Sequence, residues 1–275
     1  MKIAKTLLCA LTVLGLALPA APSQAAEDIV INGSTTVLPV MQKAGEAFMA
    51  SHPDIRLSLS GGGSGNGIKA LIEGQCAVAM SSRDIKDKEK TAAAKNGVAP
   101  VRTAIAVDAI VPVVHPQNPT SALTLEQLRD IYTGKIVNWK DVGGADAKIV
   151  VISRDSSSGT FECWEELVMN KTRVAPAALV QASNGAVVQT VAGNKNAIGY
   201  IGLGYVDKNT KALAVNGVTA SAQTAISRQW PIARELYIFT NGQPANSVAK
   251  LVQYLLDPQK GQKNVAEVGY VPLSK

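Results

Sequence analysis

The chain has 275 residues, and 27 Lys and Arg against 21 Asp and Glu leave a formal charge of +6. That balance is mildly basic and contains no long Lys/Arg run, which excludes a nucleic-acid partner. Only two histidines occur, with no His/Cys/Asp cluster at metal-ligand spacing, so no metal site and no cofactor is expected.

At the N-terminus Lys2 and Lys5 precede an apolar run from Thr6 to Leu18 and a small-residue stretch ending Ser23-Gln24-Ala25. This reads as a secretory signal peptide over residues 1–25, cleaved before Ala26. The run is short of the roughly 20 residues that cross a membrane. Cys9 lies inside it, so no lipid anchor is read. Loss of Lys2 and Lys5, with no acid, lowers the charge to +4. The expectation is a soluble, periplasmic, monomeric protein.

Along the mature chain, period-2 runs alternate with helical ones, the pattern of an α/β fold. Asp28 to Ile31 predicts a strand and Leu38 to Ala50 a helix, and Ile55 to Leu59 alternates as a half-buried strand. GGGSGNG then leads into a short helix, IKALIEG, closed by Gly74, and Ala77 to Met80 predicts a buried strand. From Thr103 to Val114 the chain is apolar apart from Asp108. Thr124-Leu125-Glu126-Gln127 fits a helix start, with LEQLRDIY following at helical spacing. VVISRDSSSGTFECWEELV supplies another strand and helix. A helix over Ala186 to Ala192, a strand over Ala197 to Ile201, a strand over Glu235 to Phe239 and a helix over Ser247 to Leu256 complete the series.

Three junctions share one design of strand, Gly/Ser/Thr turn and helix: INGSTTVLPV, LSLSGGGSGNGIKAL and VISRDSSSGTFECW. A helix N-terminus leaves backbone N–H groups without internal partners and carries partial positive charge. Small residues let an anion approach, and Ser and Thr add neutral donors. Arg154 adds a fork of donors suited to an oxyanion. Ser82 and Arg83, just past a strand, could add a hydroxyl and a charge. Asp108, as an acceptor, would favour an anion that still carries a proton. Enzyme readings find little support. There is no G-x-S-x-G elbow, Ser158-Gly159-Thr160 has no evident base, and GGGSGNG lacks the Lys-Ser/Thr ending of a nucleotide P-loop.

NGSTTVLPV, SGGGSGNGIKAL, MSSRDI, VDAIVPVVHPQNP, LTLEQLRDIYTGKIVNWKDVGG, SRDSSSGTF, NAIGYIGLGYV and VGYVPL together resemble the periplasmic phosphate-binding proteins of phosphate ABC transporters. The resemblance implies an α/β, two-lobed type II periplasmic-binding-protein fold. Each lobe would be a mixed sheet flanked by helices, joined by two hinge crossovers near Thr103–Val111 and Gln229–Tyr237. Residues 26–105 with 235–275 would form lobe 1, and 106–234 lobe 2. Inorganic phosphate would lie in the cleft, for delivery to a membrane ABC permease.

Carried over by motif, the binding residues are Thr35 and Thr36 with Ser34 beside them, and Ser64 with Gly65. Ser82, Arg154, Ser158, Gly159 and Thr160 complete the set, and Arg83 is a further candidate. Some members have an aspartate at the position of Ser82 that accepts the ligand's proton. Asp108 is expected to take that role here. The family's acidic partner two residues after the arginine is Ser156 here, and Asp155 is expected to substitute, with Ser156 and Ser157 as turn filler. Cys76 and Cys163 would fall in different lobes, where a bond would hinder closure, so free thiols are expected. The alternatives are a receptor for sulfate, molybdate or tungstate, an exported phosphate-ester hydrolase, and an anion-sensing surface protein.

Overall fold

The computed structural model describes residues 26–273, so the signal peptide expected over 1–25 lies outside the described residues. Strand β1 (Glu27–Gly33) buries Ile29 and Ile31 and exposes Val30, as alternation predicts. Helix α1 (Leu38–Ser51) buries Val40, Met41, Ala44 and Phe48, spaced three and four apart, with a proline in its first turn. Strand β2 (Ile55–Gly61) lies parallel to β1. Helix α2 (Ser64–Ile72) begins at Ser64, earlier than the sequence predicts, so Gly65 and Gly67 are helical rather than part of the turn. Packing explains Gly67: a Cβ there would lie 2.5 Å from Gly33 Cα and 2.6 Å from the Asn32 carbonyl. The close seating of α2 on β1 holds its N-terminus at the sheet's edge.

Strand β3 (Val78–Ser81) is wholly buried and parallel to β1. Helix α3 (Asp87–Lys95) was not anticipated: DKEKTAAAK has no apolar stripe and buries only Ala93. Its start is fixed instead by Glu89, whose carboxylate accepts the Lys86 N–H at 2.9 Å.

The long strand β4 (Pro100–Val114) is followed by β5 (Ala122–Leu123), α4 (Leu125–Thr133), β6 (Val150–Arg154), α5 (Gly159–Leu167), β7 (Leu179–Gln181) and α6 (Asn184–Ala192). Then come β8 (Ala197–Gly202), β9 (Lys211–Ala212), β10 (Ala214–Val215), α7 (Ala222–Ile226), β11 (Ala233–Asn241), α8 (Asn246–Leu256) and α9 (Gly261–Glu267). Strands follow the order β2-β1-β3-β11-β4-β8-β6-β7, with β9 also on β4 and a separate β5–β10 pair. Two strands connect the halves of this order. β4 pairs antiparallel with β11 over Pro100 to Ala109 and with β8 over Ile110 to Val114. Register places Asp108 directly opposite Arg234.

The apolar residues form separate cores. One contains Ile29, Met41, Phe48, Ile105, Ala106 and Leu236, with a satellite around Ile68, Leu71 and Phe239. Another contains Ala109 to Val114, Tyr132, Trp139, Trp164, Tyr200 and Ile232. In the latter, Trp164 and Tyr200 stack at 4.3 Å between centroids. The Tyr200 hydroxyl accepts the Arg154 N–H at 3.2 Å and lies 3.1 Å from Ser153 Oγ. Aromatic packing thus fixes the end of β6, and with it the root of Arg154. The fold is α/β, with β4 and β11 running between the two larger apolar cores. No helix among the described residues is long and apolar enough to cross a membrane.

Candidate anion-binding site

Four helix N-termini converge beside the paired strands β4 and β11. The turn before α1 brings Ser34, Thr35 and Thr36, α2 begins at Ser64, α5 at Gly159 and Thr160, and α6 at Asn184. These residues, with Ser82, Arg154 and Ser158, are all buried. Thr36 and Thr160, 124 positions apart, place their hydroxyls 2.9 Å from each other. Ser64 Oγ lies 3.3 Å from Ser82 Oγ and accepts the Ser82 N–H at 3.0 Å. Gly159 presses on this pair: a Cβ there would sit 2.4 Å from Ser64 Oγ and 2.8 Å from Ser82 Oγ. Only glycine lets α5 come so close. Its first N–H groups, like those of α2, have no partner within the helix.

Arg154 supplies the charge. Its Nε donates to the Gln181 carbonyl at 3.0 Å, and its Nη2 to the Ala182 carbonyl at 3.0 Å and to Thr35 Oγ1 at 3.3 Å. Its Nη1 is buried with no partner among the described residues. Arg154 also lacks a carboxylate within ion-pair reach among those residues. Asp155, expected as its partner, instead accepts from the Ser157 N–H at 2.9 Å and from the Ser157 hydroxyl. Burial therefore lowers the Arg154 pKa below its ordinary value, the opposing pull of Tyr200 and Asp155 notwithstanding. A desolvated guanidinium without an anion is costly unless something else neutralises it.

Three further expectations need correction. Asp108 does not stand free to receive a proton. Its Oδ2 accepts from Arg234 Nε at 2.9 Å and Nη2 at 2.8 Å, and its Oδ1 from the Leu203 N–H at 2.9 Å. Burial pushes its carboxyl up while Arg234 pulls it back. The Arg83 guanidinium is committed as well. It donates to both Glu89 oxygens at 2.7 Å, to the Asp84 carbonyl at 2.8 Å, and its Nε lies 2.7 Å from Glu162. Burial disfavours the Arg83 charge, but Glu89 and Glu162 overcome it and raise its pKa. Lys86 reaches Glu162 at 2.6 Å too, so this cluster ties the β3–α3 segment to α5. Ser157, read as turn filler, bridges from the α5 turn to the glycine turn. Its carbonyl accepts the Gly65 N–H at 2.9 Å, and its hydroxyl oxygen lies 3.2 Å from the Gly62 carbonyl while its hydrogen goes to Asp155.

Other expected residues have defined local roles. Ser158 caps α5, its Oγ accepting from the Phe161 N–H at 3.2 Å, which leaves its own O–H free to donate. Ser34 Oγ accepts the Thr36 N–H at 3.1 Å. Cys76 and Cys163 are free thiols, and Cys163 Sγ donates to the Ser82 carbonyl at 3.5 Å.

Sequence reasoning missed Asn184 and Arg234. Asn184 is wholly buried and donates from Nδ2 to Thr35 Oγ1 and Thr36 Oγ1, each at 3.1 Å. It begins a fourth strand-turn-helix junction, LVQASNGAVV, whose polar turn signalled it. Arg234 Nη2 reaches Thr160 Oγ1 at 2.9 Å and Thr36 Oγ1 at 3.4 Å, and Nη1 reaches the Ser82 carbonyl at 3.2 Å. It was the lone cation in an apolar crossover, as Asp108 was the lone acid in the other.

This buried cluster of donors is suited to an oxyanion. Residues 19–259 match the family model of the PBP superfamily domain. The phosphate-binding protein PstS of Borreliella burgdorferi is 33% identical over 89% of this chain and 90% of its own length. That of Bacillus subtilis is 29% identical over 91% of this chain and 82% of its own length. A phosphate ABC transporter substrate-binding protein of Clostridium perfringens, solved with bound phosphate, superposes with a TM-score of 0.84 at 35% identity, covering 90% of this chain and all of the other. An ABC-type phosphate transport receptor of Vibrio cholerae gives 0.72 at 33% identity over 89% of this chain and all of its own. The chain belongs to the PBP superfamily and, within it, to the family of the phosphate-binding proteins PstS.

Proposed function

We propose that this chain is a non-enzymatic receptor, exported to the periplasm, that captures inorganic phosphate between two lobes and delivers it to a membrane ABC permease. The lobes are assigned as residues 26–105 with 235–275, and 106–234, acting as a monomer. The ligand is assigned to Thr35, Thr36, Ser64, Ser82, Arg154, Ser158, Gly159 and Thr160, and Asn184 and Arg234 support them.

The observation that carries this reading is Arg154, a buried guanidinium with no carboxylate partner and one nitrogen without an acceptor among the described residues, set among hydroxyls from both sides of the crossover. An oxyanion there would neutralise the charge and receive aligned donors in a low-dielectric setting. Closure of the lobes would desolvate the anion and strengthen each bond. In isothermal titration, phosphate-depleted protein should give a saturable heat with inorganic phosphate. No heat at millimolar phosphate would overturn the proposal.

A further inference from the structure

Beside the seat, a cluster of charges joins two elements through groups that are not assigned to the ligand. Arg83 follows β3 and is fixed from its own side. Its Nη1 and Nη2 donate to the two Glu89 oxygens at 2.7 Å each, and Nη1 also donates to the Asp84 carbonyl at 2.8 Å. Ser81 Oγ holds the backbone, donating to the Arg83 carbonyl at 2.7 Å and accepting its N–H at 3.3 Å. Glu89 is held in turn by the Lys86 N–H at 2.9 Å. A guanidinium so clamped is a preset fork with one edge left over, its Nε.

That edge faces Glu162 in the first turn of α5. Arg83 Nε lies 2.7 Å from Glu162 Oε2, and Lys86 Nζ lies 2.6 Å from the same oxygen. Glu162 is the one acid of α5 in an ion pair among the described residues, and both its partners come from the β3–α3 segment. The contact lies directly behind the seat: a Cβ on Gly159 would stand 3.0 Å from Arg83 Cγ. Nearby, the Ser157 carbonyl accepts the Gly65 N–H at 2.9 Å. The N-terminus of α5 is thus pinned twice, to β3–α3 by Glu162 and to α2 by Ser157. Val78 and Met80 of β3 belong to the core around Met41 and Phe48, and Trp164 of α5 to the core around Tyr132 and Tyr200, so the Glu162 pair spans two cores.

Breaking this pair strands little on either side. Arg83 keeps Glu89, and Lys86, with 41% of its side chain exposed, can turn to water. What is lost is attraction between the two halves. In a receptor that opens to exchange its ligand, such a contact exists only in the closed state.

We propose that Glu162 is a closure latch: a positioning residue outside the anion seat that pairs with Arg83 and Lys86, holds the α5 N-terminus over bound phosphate and sets how long it stays. This rests on the phosphate-receptor reading above. Release requires the pair to break, so the latch slows dissociation. Capture begins from the open state, where the pair is already apart, so association is unaffected. Without an anion the closed state buries Arg154 Nη1 with no partner among the described residues, which keeps the empty receptor open and the latch idle.

The test is stopped-flow binding of inorganic phosphate, read by tryptophan fluorescence because Trp164 lies on α5, with kon and koff obtained separately. The proteins are the wild type, Glu162→Gln, Lys86→Met and the double variant, each also melted without phosphate. Glu162→Gln should raise koff about tenfold, with kon within about twofold of wild type and Tm without phosphate nearly unchanged. Lys86→Met should raise koff less, and should add little to Glu162→Gln, because the two share one contact. Glu162→Asp, which keeps the charge, should recover part of the slow release. A koff within about twofold of wild type in Glu162→Gln overturns the latch, as does a change carried wholly by kon. Should Glu162→Gln not fold, Lys86→Met carries the test, and an unchanged koff there overturns the proposal. A wild-type protein that takes no phosphate overturns the receptor reading instead.

Discussion

Arg154→Met separates the functional role of the guanidinium from a structural one, because the two roles predict opposite signs. Hydrogen bonds to a charged group contribute roughly 1.5–3 kcal/mol each. A guanidinium can present two to an oxyanion. Removing the fork should therefore cost about 3–5 kcal/mol of binding, or roughly a hundredfold to several-thousandfold in Kd. The effect on the fold is different. Met removes a buried charge that has no counter-ion among the described residues, a gain, and forfeits the bonds to the Gln181 and Ala182 carbonyls and to Thr35, a loss of about 1 kcal/mol each. These offset, so without phosphate the variant should melt within a few degrees of the wild type. Thermal melts with and without phosphate read both quantities, since a ligand that binds only the native state raises stability with the logarithm of its concentration over Kd. The wild type should gain stability with phosphate and Arg154→Met should not. A variant that melts far lower without ligand, yet binds phosphate within about threefold of wild type, would refute the reasoning and make Arg154 a structural strut.

Gly159→Ala places a Cβ 2.4 Å from Ser64 Oγ, so α5 must retreat from the serine pair, and phosphate titration should show at least a tenfold loss, by about the worth of one charged bond. Asp108→Ala strands the Arg234 charge in the crossover and should cost about 3–5 kcal/mol in urea unfolding, whereas Asp108→Leu combined with Arg234→Met should recover most of it. Burial pushes the Cys76 thiol up to about 11 from 9.0. Between those values the native state keeps a proton that the unfolded chain has lost, so this residue's contribution should fall as pH rises through that window. Cys76 should stay unreactive to a disulfide reagent at pH 8 until urea unfolds the protein.

The sequence announced the local pieces because short-range physics makes them. Alternation set β1 and β2, the Met41/Ala44/Phe48 stripe set α1, and small residues after each strand marked α1, α2 and α5 as open helix ends. α3 escaped because a charged helix without a stripe leaves no periodic signal. The composition of the anion seat, many hydroxyls and one arginine, was likewise visible in INGSTTVLPV, LSLSGGGSGNG and VISRDSSSGTF.

What the tertiary structure alone decided is which charges remain available. Nothing in the local sequence tells which of Arg83, Arg154 and Arg234 stays without a carboxylate. The fold gives Arg83 to Glu89 and Glu162, gives Arg234 to Asp108 through the β4–β11 register, and leaves Arg154 without a carboxylate. Such pairing depends on contacts between residues far apart in the chain, up to 126 positions for Asp108 and Arg234, and no local pattern encodes it. Local sequence determined that this protein would offer donors to an anion. Long-range packing determined which charge is free to meet it.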